Sequence, residues 1–232
     1  MMRALGGGRA ASRRRSVLVK ALLASSLVLA LGVGLRVGLT QTLDATNLVW
    51  NLFLAWIPFG LALVLYDGAR RGLSPAALLA LGTGWLLFLP NAPYIVTDVK
   101  WLGEYEGGAL WYDAALIGLA ATIGLVLGFV SLYLVQVVIA ERFGHLAGWA
   151  LAWSALVLSG IGVYLGRFQR WNSWQVVTEP WTIGRELFGA ALDPFAHARP
   201  LALSTAFAIL WCAGYALFYS TFRGQLRRLS DR

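Results

Sequence analysis

The chain has 232 residues, 59% hydrophobic and 13% charged, with a mean hydropathy of +0.67. Soluble domains carry about a quarter charged residues, so this composition excludes an ordinary water-soluble domain and calls for a lipid solvent. The net charge of +8 would suggest a nucleic-acid partner in a soluble protein, but the cations are scattered at the ends of apolar runs and form no basic stripe, which excludes that class too.

A helix needs about 20 apolar residues to cross a bilayer core. Six segments reach or approach that length, at 17–38, 46–66, 74–90, 113–140, 146–166 and 200–222. They predict an all-α, polytopic transmembrane helix bundle of about six spans, one unit over 17–222 between basic tails at 1–16 and 223–232. The first run follows Arg13, Arg14 and Arg15 as a signal peptide would. It lacks a convincing small-residue cleavage site and five more spans follow, so it is read as a retained helix. Arg36 near its far end is expected to snorkel or to pair with Asp44. In the second run Asn47 and Asn51 lie four apart. Asn51 is deep enough to need a hydrogen-bond partner on another helix, and Pro58 is expected to kink the helix.

The third run ends in FLPNAPYIVTD, residues 88–98. Pro90 and Pro93 each lack an N–H and disfavour the α region for the residue before them, which predicts a broken third helix end. The freed carbonyls need partners. Asn91 can supply one through its amide, Tyr94 can anchor at the interface, and Thr97 or Asp98 can cap a short helix starting near Val99. Alternatively the break opens a binding site, as discontinuous helices often do. The fourth run opens with Trp111, Tyr112 and Asp113. There Asp113 is an N-cap or first-turn acid favoured by the helix dipole, or a partner of Asp98 in acid–base work or in holding a divalent cation.

After the fifth run comes GRFQRWNSWQVVTEPW, 166–181. Arg167 and Arg170 share a face if the helix continues, and could clamp an anion or meet Asp98 or Asp113. Trp171, Trp174 and Trp181 fit an aromatic belt, with Asn172 between the first two. Glu179-Pro180 starts a short interfacial helix, which Asp193-Pro194 ends. Glycines recur at four-residue spacing (34/38, 124/128, 162/166), either to let helices approach closely or because glycine is frequent here.

With the N-terminus in the cytoplasm, 13 of the 19 Lys and Arg lie inside; Arg36, Lys100, Arg167, Arg170, Arg185 and Arg199 lie outside. That bias predicts a multi-pass protein of the plasma (inner) membrane with both termini cytoplasmic. The long outer connections, 91–112 and 167–199, hold the unusual residues, and long connections are commonly functional.

NLFLAWIPF (51–59), FLPNAPYIVTD (88–98), WYD (111–113) and RWNSW (170–174) together resemble the domain-of-unknown-function 1361 family of prokaryotic membrane proteins. The resemblance covers roughly 47–181 and implies a multi-span membrane protein without a reaction. The family's last motif often continues with an acid; Gln175 stands there in this chain, so a role for a carboxylate at that position is lost.

His145 and His197 fall on opposite sides of the threading and Cys212 lies mid-span, which argues against zinc. No phosphate-cradling loop occurs, nothing fixes a Ser173–His197–Asp triad, and no cofactor is predicted beyond the possible cation at Asp98 and Asp113. The first expectation is a structural or accessory membrane subunit, held by lipids and a partner membrane protein. The alternatives are a binder or transporter of a small or lipid-borne anion, and an envelope enzyme acting on a lipid-linked substrate. The binding candidates are Asn91, Tyr94, Arg167, Arg170, Trp171, Asn172 and Trp174; the catalytic candidates are Asp98 and Asp113.

Overall fold

A computed structural model describes residues 2–105, 107, 109–168, 171, 178, 179, 181, 182, 184, 185, 188, 189 and 198–230, with the backbone alone for 2–10, 167, 168, 199 and 200. Its elements in chain order are α1 (Met2–Thr40), α2 (Thr46–Arg70), α3 (Pro75–Phe88), the single turn α4 (Asn91–Tyr94), a 3-10 helix (Ile95–Trp101), α5 (Leu110–Phe143), α6 (His145–Phe168) and α7 (Ala198–Leu229). Among the described residues six stretches are long and apolar enough to span a membrane. The chain is an all-helical, multi-pass membrane protein, as its hydropathy predicts. Of the interfacial helix expected over 181–192, residues 181, 182, 184, 185, 188 and 189 are described and helical; the others lie outside the described residues.

The bundle is organised around α5. In its most apolar window 78% of residues are buried, against 17% in α1 and α7. Helices α2 and α6 pack along α5, α3 lies against α2, and α7 lies against α6. Large apolar residues of α1, such as Leu27, Leu31 and Leu35, are exposed, which suits a surface solvated by lipid. Helix α2 runs continuously through Pro58.

The described C-terminal end meets α1 and α2 at one end of the bundle. Arg15 donates to Asp67 at 3.0 Å and to the Leu229 carbonyl at 3.1 Å, while Tyr66 and Arg70 donate to the Ser230 carbonyl. This is called the terminal end; the opposite one, carrying residues 41–45, 102–105, 107 and 109, is the loop end.

The FLPNAPYIVTD stretch departs from its simplest expectation. The residue before Pro90 stays helical, with Leu89 at φ −53° and ψ −39°, and no new helix begins at Val99. The chain continues through both prolines as one α turn and then a 3-10 helix, so that the third traverse runs from Pro75 to Trp101. Hydrogen bonds shift by one residue to allow it. The Ala92 N–H turns to the Leu89 carbonyl, and the Asn91 amide takes up the Phe88 carbonyl at 2.9 Å. The Thr97 hydroxyl donates back to the Tyr94 carbonyl at 2.6 Å and does not cap a following helix.

Two of the three glycine pairs make room for this break. A Cβ on Gly124 would lie 2.8 Å from the Ala92 carbonyl oxygen, and one on Gly128 2.9 Å from Ala92 Cβ. On α6, a Cβ on Gly162 would lie 2.7 Å from Pro90, and one on Gly166 3.4 Å from the Tyr94 ring. Among the described residues a Cβ on Gly34 or Gly38 would meet nothing within 4 Å, so that pair marks no close helix approach there. The broken segment is therefore seated inside the bundle, between α2, α5 and α6.

Candidate functional site

The 3-10 geometry decides where Asp98 points. With three residues per turn, side chains at i and i+3 eclipse. Ile95 and Asp98 consequently share the inward face, and both are fully buried. There the Asn51 amide of α2 donates to the Asp98 carboxylate at 2.7 Å. The partner that the depth of Asn51 demanded is thus the acid of the PNAPYIVTD motif.

Asp113 lies in the first turn of α5 as expected, but its carboxylate faces α1. Arg36 Nε approaches Asp113 Oδ1 at 2.5 Å and Nη2 approaches Oδ2 at 3.4 Å, with the two side chains only 1% and 3% exposed. Arg36 neither snorkels nor pairs with Asp44, which is exposed. Its guanidinium also donates to Thr42 at 3.2 Å and stacks on the Tyr105 ring at 5.0 Å. The rest of the WYD motif supports this seam. Tyr112 donates to the Gly32 carbonyl at 2.8 Å. A Cβ on Gly32 would sit 2.7 Å from the end of the Leu116 side chain, which would have to turn aside. Trp111 points outward.

Tyr105 joins the two carboxylates. It is buried beneath the loop end, its hydroxyl donates to Asn47 at 2.9 Å, and its ring stacks on Trp101. Its pKa is raised, chiefly by burial; the bond to Asn47 and the charge of Arg36 oppose the shift, and Asp98 and Asp113 add to it. The phenol is accordingly a neutral donor at ordinary pH. Above it opens a cleft of about 400 Å³ lined by Thr42, Asp44, Asn47, Trp101, Glu104 and Tyr105. The wall of the cleft is thus also the cover of the buried charges.

The sequence candidates fall into two groups in space. Asp98, held by Asn51, and Asp113, held by Arg36, both lie near enough to Tyr105 to raise its pKa. Asn91 and Tyr94 belong to the seated break, and Tyr94 meets α6 near Gly166, where the Trp171 carbonyl also lies. Trp171 is half-buried just past α6, its N–H on the Leu165 carbonyl. Arg170, Asn172 and Trp174 lie outside the described residues, as does the side chain of Arg167, so the expected meeting of these arginines with Asp98 lies there as well. Among the described residues no three His, Cys, Asp or Glu side chains gather as a metal group would.

Sequence reasoning assigned Arg36, Asn47 and Tyr105 no place in the site. A signal existed for the first: Arg36 is the single charge between Lys20 and Asp44 in an otherwise apolar stretch. A lone cation at that depth asks for a buried acid.

Residues 50–213 match the family model described as "Protein of unknown function (DUF1361)". The match covers well over half of the chain, which belongs to that family. No curated protein and no solved structure matches it.

Proposed function

We propose that this member of the DUF1361 family is a ligand-binding protein of the plasma (inner) membrane, with both termini cytoplasmic and a site for a small ammonium-bearing molecule in the loop-end cleft. One observation carries the reading. A buried ion pair and a second buried carboxylate lie behind Tyr105, the wall of a cleft with Asp44 and Glu104 on its lining. Stability alone does not call for such charges, because apolar residues of similar volume often hold a core as well or better. Ionisable groups within membrane spans instead commonly mark ligand or ion sites.

The lining chooses the ligand class. The carboxylates of Asp44 and Glu104 suit an ammonium, while Trp101 and Tyr105, whose ring faces already meet Lys100 and Arg36, supply an apolar wall. A divalent cation shared by Asp98 and Asp113 would have to displace the Arg36 guanidinium, whereas an ammonium in the cleft needs no such exchange. The orientation rests on the cationic residues near the terminal end, among them Arg13, Arg14, Arg15, Arg70 and Arg71.

The test titrates the detergent-solubilised protein with choline and with putrescine, following tryptophan fluorescence and melting temperature. Saturable binding is expected, lost when Asp44→Asn and Glu104→Gln are combined and weakened by Trp101→Leu. A folded wild-type protein that responds to neither probe rejects the proposal. For orientation, Glu104→Cys on a Cys212→Ala background is expected to react with an impermeant maleimide added outside intact cells; reaction only after lysis would reverse the threading.

A second reading, a structural or accessory subunit, is favoured by a different observation. Asn51 with Asp98, Arg36 with Asp113, Tyr105 with Asn47 and Tyr112 with Gly32 each tie one element to another. It predicts that Asp113→Leu or Asn51→Leu alone lowers the melting temperature while neither ammonium probe binds the wild type.

A further inference from the structure

We infer that the groove between α3 and α5 at the terminal end is a binding site for one anionic phospholipid, its acyl chain in the groove and its phosphate on Arg142. The site is separate from the loop-end cleft and does not depend on it. The groove has a volume of about 570 Å³ and is lined by residues that include Leu79, Gly82 and Leu86 of α3 and Val138 and Ile139 of α5, with Arg142 at its terminal-end rim. It is apolar along its length and charged at one end, which is the pattern of a lipid.

The dimensions agree. The α3 side runs from Pro75 to Leu86, which at 1.5 Å per residue is about 16 Å. One leaflet of a hydrocarbon core about 30 Å thick is about 15 Å deep. A chain entering beside Arg142 would therefore reach the bilayer midplane where the groove ends.

The rim supplies the charge complementarity. Arg15 and Arg70 at this end are taken by Asp67 and Glu141. Among the described residues no acid pairs with Arg142, which is exposed in the last turn of α5. Basic residues bordering pockets between membrane helices hold anionic headgroups in this way.

The test reconstitutes the full chain in nanodiscs of equimolar phosphatidylglycerol and phosphatidylcholine, extracts it gently and counts retained lipid by native mass spectrometry. One phosphatidylglycerol is expected to be retained in preference to phosphatidylcholine. Arg142→Gln should lower that retention about fivefold, the worth of one basic residue near an anionic headgroup. Gly82→Phe should block the groove and abolish it; Thr83→Trp, at an exposed lining position, serves the same purpose if Gly82→Phe does not fold. Equal retention of the two lipids, retention unchanged by Arg142→Gln, or no retained lipid overturns the inference.

Discussion

At the terminal end, Arg70 meets Glu141 at 3.0 Å with the two side chains 36% and 37% exposed, and Arg15 meets Asp67 at the same distance with the acid 41% exposed. At the loop end, Arg36 and Asp113 close their pair with almost no exposure, and Asp98 is buried beside Asn51. The distances are similar, but the surroundings differ. A pair that keeps its water gives little when formed and loses little when broken. A pair taken out of water depends on its partner, because the survivor of a broken pair is left charged in an apolar medium. The comparison teaches that burial, more than contact distance, sets what each charge does for the fold.

The largest expected effect tests that directly. Asp113→Leu alone strands the Arg36 guanidinium and should cost about 3–5 kcal/mol, read as a large fall in melting temperature or in folded yield. Combining it with Arg36→Met should recover most of the loss. A double variant as unstable as the single one would show that the unpaired charge is not the cause. Next comes Asn51→Leu, which removes the hydrogen bond to the buried Asp98 carboxylate. A bond to a charged group is worth about 1.5–3 kcal/mol, and the same melting measurement should find a loss of that order.

The seated break sharpens the comparison from the packing side. Gly124→Ala would place a methyl against the Ala92 carbonyl, and overpacking of this kind costs about 1–3 kcal/mol. Gly34→Ala, in open space on α1, should cost nothing measurable; equal losses at both positions would remove the argument that the α5 glycines accommodate the break. The smallest effect is expected at the terminal end. Glu141→Gln should change stability by less than about 1 kcal/mol, an effect that shrinks further as salt is added. A loss as large as that of Asp113→Leu would erase the contrast between the two ends.

Much of the site was legible one residue at a time. The depth of Asn51 announced a need for a partner, and the two prolines announced a break whose freed carbonyl Asn91 would meet. The partners themselves were not legible. Arg36 and Asp113 are 77 residues apart, and an exposed Asp44, only eight positions from Arg36 in the chain, is the natural guess until the packing of α1 against α5 is known. Likewise FLPNAPYIVTD reads as a helix ending. Its continuation as a 3-10 helix depends on glycines of α5 and α6 far along the chain.

The amino-acid sequence by itself determined the solvent, the number of spans and the position of the broken helix, because hydropathy and missing proline N–H groups are local properties that any fold must accommodate. The tertiary structure alone decided that Asp98 turns inward, that Arg36 takes Asp113, and that Tyr105 closes over both. Those outcomes depend on which helices approach each other and at what rotation, and the apolar surfaces that drive the approach are too uniform along this chain to specify a register.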